Sequence, residues 1–379
     1  MSNFRVTYLK SIFLLAALAL LSAPALRAQN TTSGQETDAI TTAVPFLTIS
    51  PNARSGAMGD AGVALEQGAF STFWNPAAMA FIEDKFGFGI TYTPWLRALG
   101  IPDINHAYLP AYYNFGEQGG VAGVSLSYFS LGNIQFTDNQ GIETGNYNAN
   151  EFALSGHYGR LLTDQLAIGG GLRYIRSDLA GSQQGSIPIE PAQSAAGDIF
   201  LFYKTDLGGG AQAPLGLNIG GGISNIGAKM TYNNQGSDRD FLPTTFRIGY
   251  ALTYPIDDYN KITFTNDFSK LMVPSEGGQS DEAVLSGMFS SFGDAEGGLS
   301  EEVQEVMISL GAEYWYNDLF AVRAGYFHED EDKGDRQYLT LGAGLQFKAL
   351  IIDFAYLTSF EQNHPLQNTL RFSLGFNFN

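Results

Sequence analysis

Three residues in this sequence have the types and spacing for joint chemistry. Glu151, Ser155 and His157 fall at even intervals, so in an extended chain a nucleophile, a base and an orienting carboxylate share one face. The other histidines, His106, His328 and His364, stand near loop ends with no serine or cysteine nucleophile in an evident motif beside them. His157 is therefore better read as a packed, hydrogen-bonded side chain, and the chain as a non-enzyme. The run Glu329-Asp330-Glu331-Asp332 offers oxygen ligands for calcium but lacks the spacing and the glycine of a calcium loop, so it reads as a solvated loop. Gly169–Gly171 and Gly220–Gly222 are not phosphate cradles, because each lies inside a strand pattern with no helix after it. Strand bending or the close approach of another segment fits them better. No metal or cofactor is assigned.

The elements that must position these residues are strands. From Phe86 onward, Phe86, Phe88, Ile90 and Tyr92 alternate with Gly87, Gly89, Thr91 and Thr93. The same period recurs from Phe246 to Tyr254 and from Leu370 to Phe378. It predicts fourteen strands, near 86–95, 105–115, 120–131, 150–161, 165–176, 195–206, 214–226, 244–255, 260–270, 303–316, 319–328, 337–347, 349–359 and 368–378. Connections alternate between tight (116–119, 162–164, 256–259, 317–318 and Lys348) and long (96–104, 132–149, 177–194, 227–243, 271–302, 329–336 and 360–367), with 207–213 intermediate. That is the pattern of an outer-membrane barrel with short periplasmic turns and longer extracellular loops.

Charge register agrees. Arg173, Arg247, Asp267, Glu313, Arg323, Asp353 and Arg371 all sit on the small or polar face of their strands. On a lipid face near the midplane each arginine would cost about 2–4 kcal/mol, and each carboxylate somewhat less. Both signs in a setting of Gly, Ala and Thr are expected of a lumen packed against something. The composition fits: 45 glycines, 28 Phe and 19 Tyr, only 15% charged residues, and no apolar run after residue 30 that reaches the ~18 residues of a membrane helix. A net charge of −18 argues against nucleic acid. The absence of cysteine excludes disulfides, thiolate chemistry and a lipid anchor on an N-terminal cysteine. Phe378 ends the closing strand with an aromatic, as barrel-assembly machinery generally requires.

The expected organisation is a signal peptide over 1–28, a lead-in and hatch over 29–85, and a barrel over 86–379. The hatch centres on 44–81, rich in small and turn residues. Trp74, Asn75 and Pro76 mark a helix start there, with Asn75 as N-cap and Pro76 at the first helical position. His157 is expected beneath this segment, bonded to it. In the long 271–302 loop, Ser280 is read as the cap of a helix on which Leu285, Met288, Phe289 and Phe292 form one apolar face. That face either folds over the barrel mouth or binds a partner. The loop carries seven carboxylates (Glu276, Asp281, Glu282, Asp294, Glu296, Glu301 and Glu302) and no Lys or Arg.

The runs Leu47-Thr48-Ile49-Ser50-Pro51-Asn52-Ala53-Arg54, Met58-Gly59-Asp60-Ala61-Gly62-Val63-Ala64 and Trp74-Asn75-Pro76-Ala77-Ala78-Met79-Ala80 resemble the PorV family, as do Pro94-Trp95-Leu96 and Tyr108–Tyr113. That family comprises outer-membrane components of the type IX secretion system of Bacteroidetes. It is related to FadL-type fatty-acid transporters and includes the sister protein PorQ. The resemblance implies a 14-stranded antiparallel transmembrane β-barrel of FadL-like fold with an N-terminal hatch, set in outer-membrane lipid. It also implies a carrier that takes the C-terminal signal domains of secreted cargo from the translocon barrel (SprA/Sov) to the surface attachment proteins PorU and PorZ. The competing function is a FadL-like transporter of hydrophobic small molecules. The lumen discriminates: a transporter needs an apolar pocket and a movable hatch, a docking barrel neither.

Overall fold

The computed structural model describes residues 39–379 apart from 102, 117, 138–139, 141, 180–189, 209–213, 233–238, 276–281 and 360–365. The expected signal segment, much of the lead-in, Glu276, Ser280, Asp281 and His364 lie outside the described residues.

Where large apolar residues alternate with glycine, threonine and charge, the chain runs as strand. The described residues form β1 (Phe86–Pro94), β2 (Ile104–Asn114), β3 (Val121–Thr137), β4 (Glu143–Leu161), β5 (Leu166–Asp178), β6 (Ala192–Leu207), β7 (Leu215–Gly227), β8 (Thr245–Pro255), β9 (Asn260–Leu271), β10 (Met307–Tyr316), β11 (Phe320–His328), β12 (Tyr338–Phe347), β13 (Leu350–Ser359) and β14 (Thr369–Phe378). Each is antiparallel to its neighbours, and β1 pairs with β14, so the sheet closes and leaves no edge unpaired. The seam is zipped on its outer side by stacked rings, Phe88 on Phe376 at 4.9 Å and Phe86 on Phe378 at 6.2 Å. Ile90, Leu126, Ile248, Phe264 and Leu310 stay exposed on the outer face, as lipid-facing residues must.

Three boundaries differ from expectation. β3 and β4 run on to Thr137 and from Glu143, pairing across a bulge between Ser130 and Asn133, so much of the expected 132–149 loop is hairpin. Asn133, Gln135, Asn146 and Asn148 suit a solvated ladder as well as a loop, so their polarity does not mark the strand end. β10 begins at Met307 rather than near 303, because Leu299–Gln304 is helical, with Glu301 and Glu302 in the first turn where the helix dipole favours them.

The N-terminal segment lies against the inward faces as a string of short turns. They are Pro45–Thr48, Ala53–Gly56, Gly68–Phe70, Ser71–Trp74 and Pro76–Phe81. Val44, Phe46 and Leu47 cluster with Ile104, Phe129 and Ile175 near the long-loop end. Ala77 and Ala78 meet Ala167 and Phe202 near the end that carries Phe86 and Phe378. Close approach explains the glycine runs. A Cβ on Gly220 would stand 2.0 Å from the Val63 carbonyl oxygen, and one on Gly169 would stand 2.3 Å from the Ala77 nitrogen.

Gly220→Val is therefore expected to destabilise the barrel by about 1–3 kcal/mol through overpacking, read as a lowered unfolding temperature in heat-modifiable gel migration. Gly221→Val, whose side chain would project to the outer face beside Ile248, is the control and should shift it much less.

Candidate functional site

Between Val44 and Phe81 only three residues are charged, Arg54, Asp60 and Glu66. Each meets its opposite on the barrel wall. Arg54 donates to both carboxylate oxygens of Glu313 on β10, Nε at 2.9 Å and Nη2 at 2.7 Å. Glu313 also accepts from Arg323 Nε on β11 at 2.6 Å, and Arg323 Nη1 donates to Asp353 on β13 at 2.7 Å. Two cations and two anions thus alternate from the segment into three strands, and the Arg323 and Glu313 side chains are essentially sealed from solvent. The reach from β11 to β13 depends on Gly344 of the intervening strand, where a Cβ would lie 2.5 Å from the Asp353 carboxylate and 2.6 Å from the Arg323 guanidinium.

A second lock holds Asp60, which has a left-handed backbone (φ 60°). It pairs with Arg371 of β14 and accepts from the Tyr338 hydroxyl of β12 at 2.6 Å. Glu66 pairs with Lys204 at 2.9 Å in a more exposed setting. Backbone joins in: the Gly62 and Val63 amides donate to Asp267 of β9 at 2.6 and 2.8 Å, and the Ala53 amide to Ser373 at 2.7 Å. Trp74 Nε1 donates to Asn52 at 2.7 Å. Asn75 caps the turn after it by accepting from the Ala77 amide at 3.0 Å. It also donates to the carbonyls of Val63 and of Leu201 on β6. The element that Pro76 opens is a 3-10 helix, not the α-helix that capping residues alone imply.

The seven inward charges do not behave alike. Glu313, Arg323, Asp353 and Arg371 are in ion pairs, and Arg173 pairs with Asp198 at 3.0 Å. Asp267 accepts from two backbone amides, with Arg247 attracting it only at longer range and in no direct ion pair. Arg247, expected to neutralise a buried acid, instead lies over the rings of Phe73 (5.6 Å) and Trp74 (5.3 Å). Sequence reasoning passed over Arg54, Asp60 and Asp198 as partners. The signal for the first two was present, since isolated charges in a stretch destined for burial require counter-charges.

The hydrolytic trio does not assemble. Ser155 accepts from Arg173 Nε at 3.1 Å, His157 Nε2 bonds Ser125 at 3.1 Å, and Glu151 accepts from Ser177 at 2.6 Å. His157 thus bonds the wall, not the N-terminal segment as expected. Glu329 is likewise not a solvated acid: Arg336 binds both its oxygens, at 2.6 and 2.7 Å.

At the long-loop end the expected helix runs Val284–Ser290. Met288 is buried there, whereas Leu285, Phe289 and Phe292 are exposed, so the four do not form one accessible face. Three of the loop's described carboxylates are engaged by the protein itself. Glu302 pairs with Lys270 at 3.1 Å, Glu301 pairs with Lys333, and Asp294 accepts from the Ser275 hydroxyl at 2.8 Å. Burial alone would lower the Lys333 pKa, but Glu301 and Glu305 outweigh it and raise it. Lys333 in turn holds the Glu301 carboxyl below its usual range.

The family model described as type IX secretion system protein PorV matches residues 32–277, which include the N-terminal segment and β1 to β9. The chain belongs to the PorV family. This PorV-family barrel is accordingly an outer-membrane protein of type IX secretion. No curated protein sequence matches it. Among solved structures, the TodX deltaS2S3 mutant monoaromatic hydrocarbon channel is similar at 14% identity and a TM-score of 0.53, over 86% of this chain and 99% of that one. The P. putida toluene transporter TodX follows at 13% identity and a TM-score of 0.50, over 86% and 98%. A Pseudomonas aeruginosa FadL homologue matches at 13% identity and a TM-score of 0.41, over 87% and 98%. At such identities the likeness is one of fold.

The ionic seam makes a graded prediction. Glu313→Leu strands Arg54, leaves Arg323 with Asp353 alone, and should cost about 3–5 kcal/mol, read from thermal unfolding in detergent. Arg247→Leu removes ring contacts worth about 1–2 kcal/mol and a longer-range attraction to Asp267, but breaks no direct ion pair, and should fall short of that. Equal effects would contradict the pairing described.

Proposed function

We propose that this protein is a carrier and docking barrel. It receives the C-terminal signal domains of secreted cargo leaving the translocon barrel (SprA/Sov) and hands them to the surface attachment proteins PorU and PorZ. Its N-terminal segment acts as a fixed hatch, and its long-loop end is the working surface at the cell exterior. The observation that carries this reading is the seam Arg54–Glu313–Arg323–Asp353 with its companion Asp60–Arg371. A passage for hydrophobic molecules requires an apolar route and a plug that yields. Here any displacement of the segment strands several enclosed charges at once. Membership of the PorV family supports the secretion role. The channels and transporters of related fold favour the rival reading, a conduit for hydrophobic small molecules, only through architecture.

Pull-down of the tagged protein from detergent-solubilised outer membranes tests the carrier. The expected result is co-purification of a very large barrel and of surface proteins with β-sandwich tails. Isolation of the barrel alone, together with toluene uptake by vesicles that contain it, would favour the conduit. Planar-bilayer recordings of the parent should be silent, and Arg54→Leu with Asp60→Leu should open discrete conductance steps. Silence in that double variant would mean that the ion pairs do not hold the hatch.

A further inference from the structure

The apolar stripe of the 271–306 loop has a definite direction. Its helix Val284–Ser290 is pressed on one side against the rest of the protein: Met288 is buried, and a Cβ on Gly287 would stand 2.8 Å from the Phe241 ring and 3.1 Å from Pro274. The opposite side carries Leu285 and Phe289, 63% and 71% exposed, with Phe292 one turn further on. Phe292 meets Phe246 of β8 edge to face, with ring centroids 6.5 Å apart. Phe246 belongs to the outward-facing set of β8, whose next members Ile248 and Tyr250 are exposed to the membrane. The stripe is thus continuous with the lipid-facing belt rather than with the barrel mouth.

The second helix of the loop lies the same way. Lys270 is the register partner of Phe246, and Phe292 covers it at 5.8 Å. The lysine is consumed by Glu302 and Glu305, while Lys333 takes Glu301 and Glu305. Those contacts pin the carboxylate side of Leu299–Gln304 to the barrel and turn Leu299 and Val303, 81% and 64% exposed, away from it. Ion pairing underneath neutralises Glu301, Glu302 and Glu305, while Glu282 and Glu296 stay exposed at the turns flanking the two helices.

We propose that the Val284–Gln304 region is a membrane foot, with Leu285, Phe289, Leu299 and Val303 seated in the outer leaflet at the boundary between headgroups and acyl chains. Short amphipathic helices with aromatic and aliphatic side chains on one side bind lipid in this way, and an aromatic girdle at that depth is usual for barrels. This assigns the stripe to lipid rather than to cargo and is independent of the carrier function.

The test is depth-resolved fluorescence quenching of the full-length protein in phosphatidylcholine liposomes. Phe289→Trp and Leu299→Trp are compared with the parent, whose three tryptophans set the background. Glu331→Trp, at an exposed position of the 329–337 loop, is the water-facing control. Heat-modifiable migration verifies that each barrel is folded. At positions 289 and 299 the added emission should be blue-shifted and mostly lost with lipids brominated near the headgroup, less so with lipids brominated near the bilayer centre. The signal at 331 should be untouched. Water-like, unquenched emission at 289 and 299 in folded barrels would overturn the proposal and leave the stripe free for a protein partner.

Discussion

An ion enclosed by a barrel wall has no water to turn to, and this constraint organises the molecule. Arg54 cannot enter the bore without Glu313, and Glu313 needs two guanidinium groups to be held as an anion there. Arg323 then requires Asp353, two strands further round. Each requirement sets the position of a different element. Together they fix the N-terminal segment along the axis as well as around it, because Asp60 is tied to β12 and β14 by an independent pair of contacts.

That arrangement explains features that composition alone leaves odd. A segment rich in glycine and alanine buries little apolar area per residue, so it is a weak core by the usual measure. Its smallness instead lets its backbone touch the wall, at Gly220 and Gly169 above all, and lets its amides use wall side chains as acceptors. Polar bonds supply the specificity that hydrophobic packing cannot supply here.

The two faces of the wall therefore do different work. Inside, charges of both signs bind the segment. Outside, apolar side chains meet lipid, and at the long-loop end the outer face continues upward into the helical loop through Phe246 and Phe292. Lys270 marks the junction: it points outward from β9, a costly site for a cation near lipid, and is covered and neutralised by the loop's own glutamates.

The sequence by itself determined the strands and their facing. A period of two is a local property, and a charge on the wrong face would be intolerable in lipid, so alternation fixed fourteen strands to within a few residues outside the β3–β4 hairpin and the start of β10. It also determined that Asn75 caps and that Pro76 starts a turn, since capping needs only neighbours. Tertiary structure decided every partnership. Arg54 and Glu313 are 259 residues apart, and nothing local distinguishes Arg323, which is paired twice, from Arg247, which rests on rings. The helical loop divides in the same way. Spacing placed Leu285, Met288, Phe289 and Phe292 on adjoining positions, but only the docking of the helix, with Gly287 against Phe241 and Pro274, decided that Met288 is buried and the others are outside. Periodicity tells a side chain which way to point; what it meets there depends on how the barrel closes.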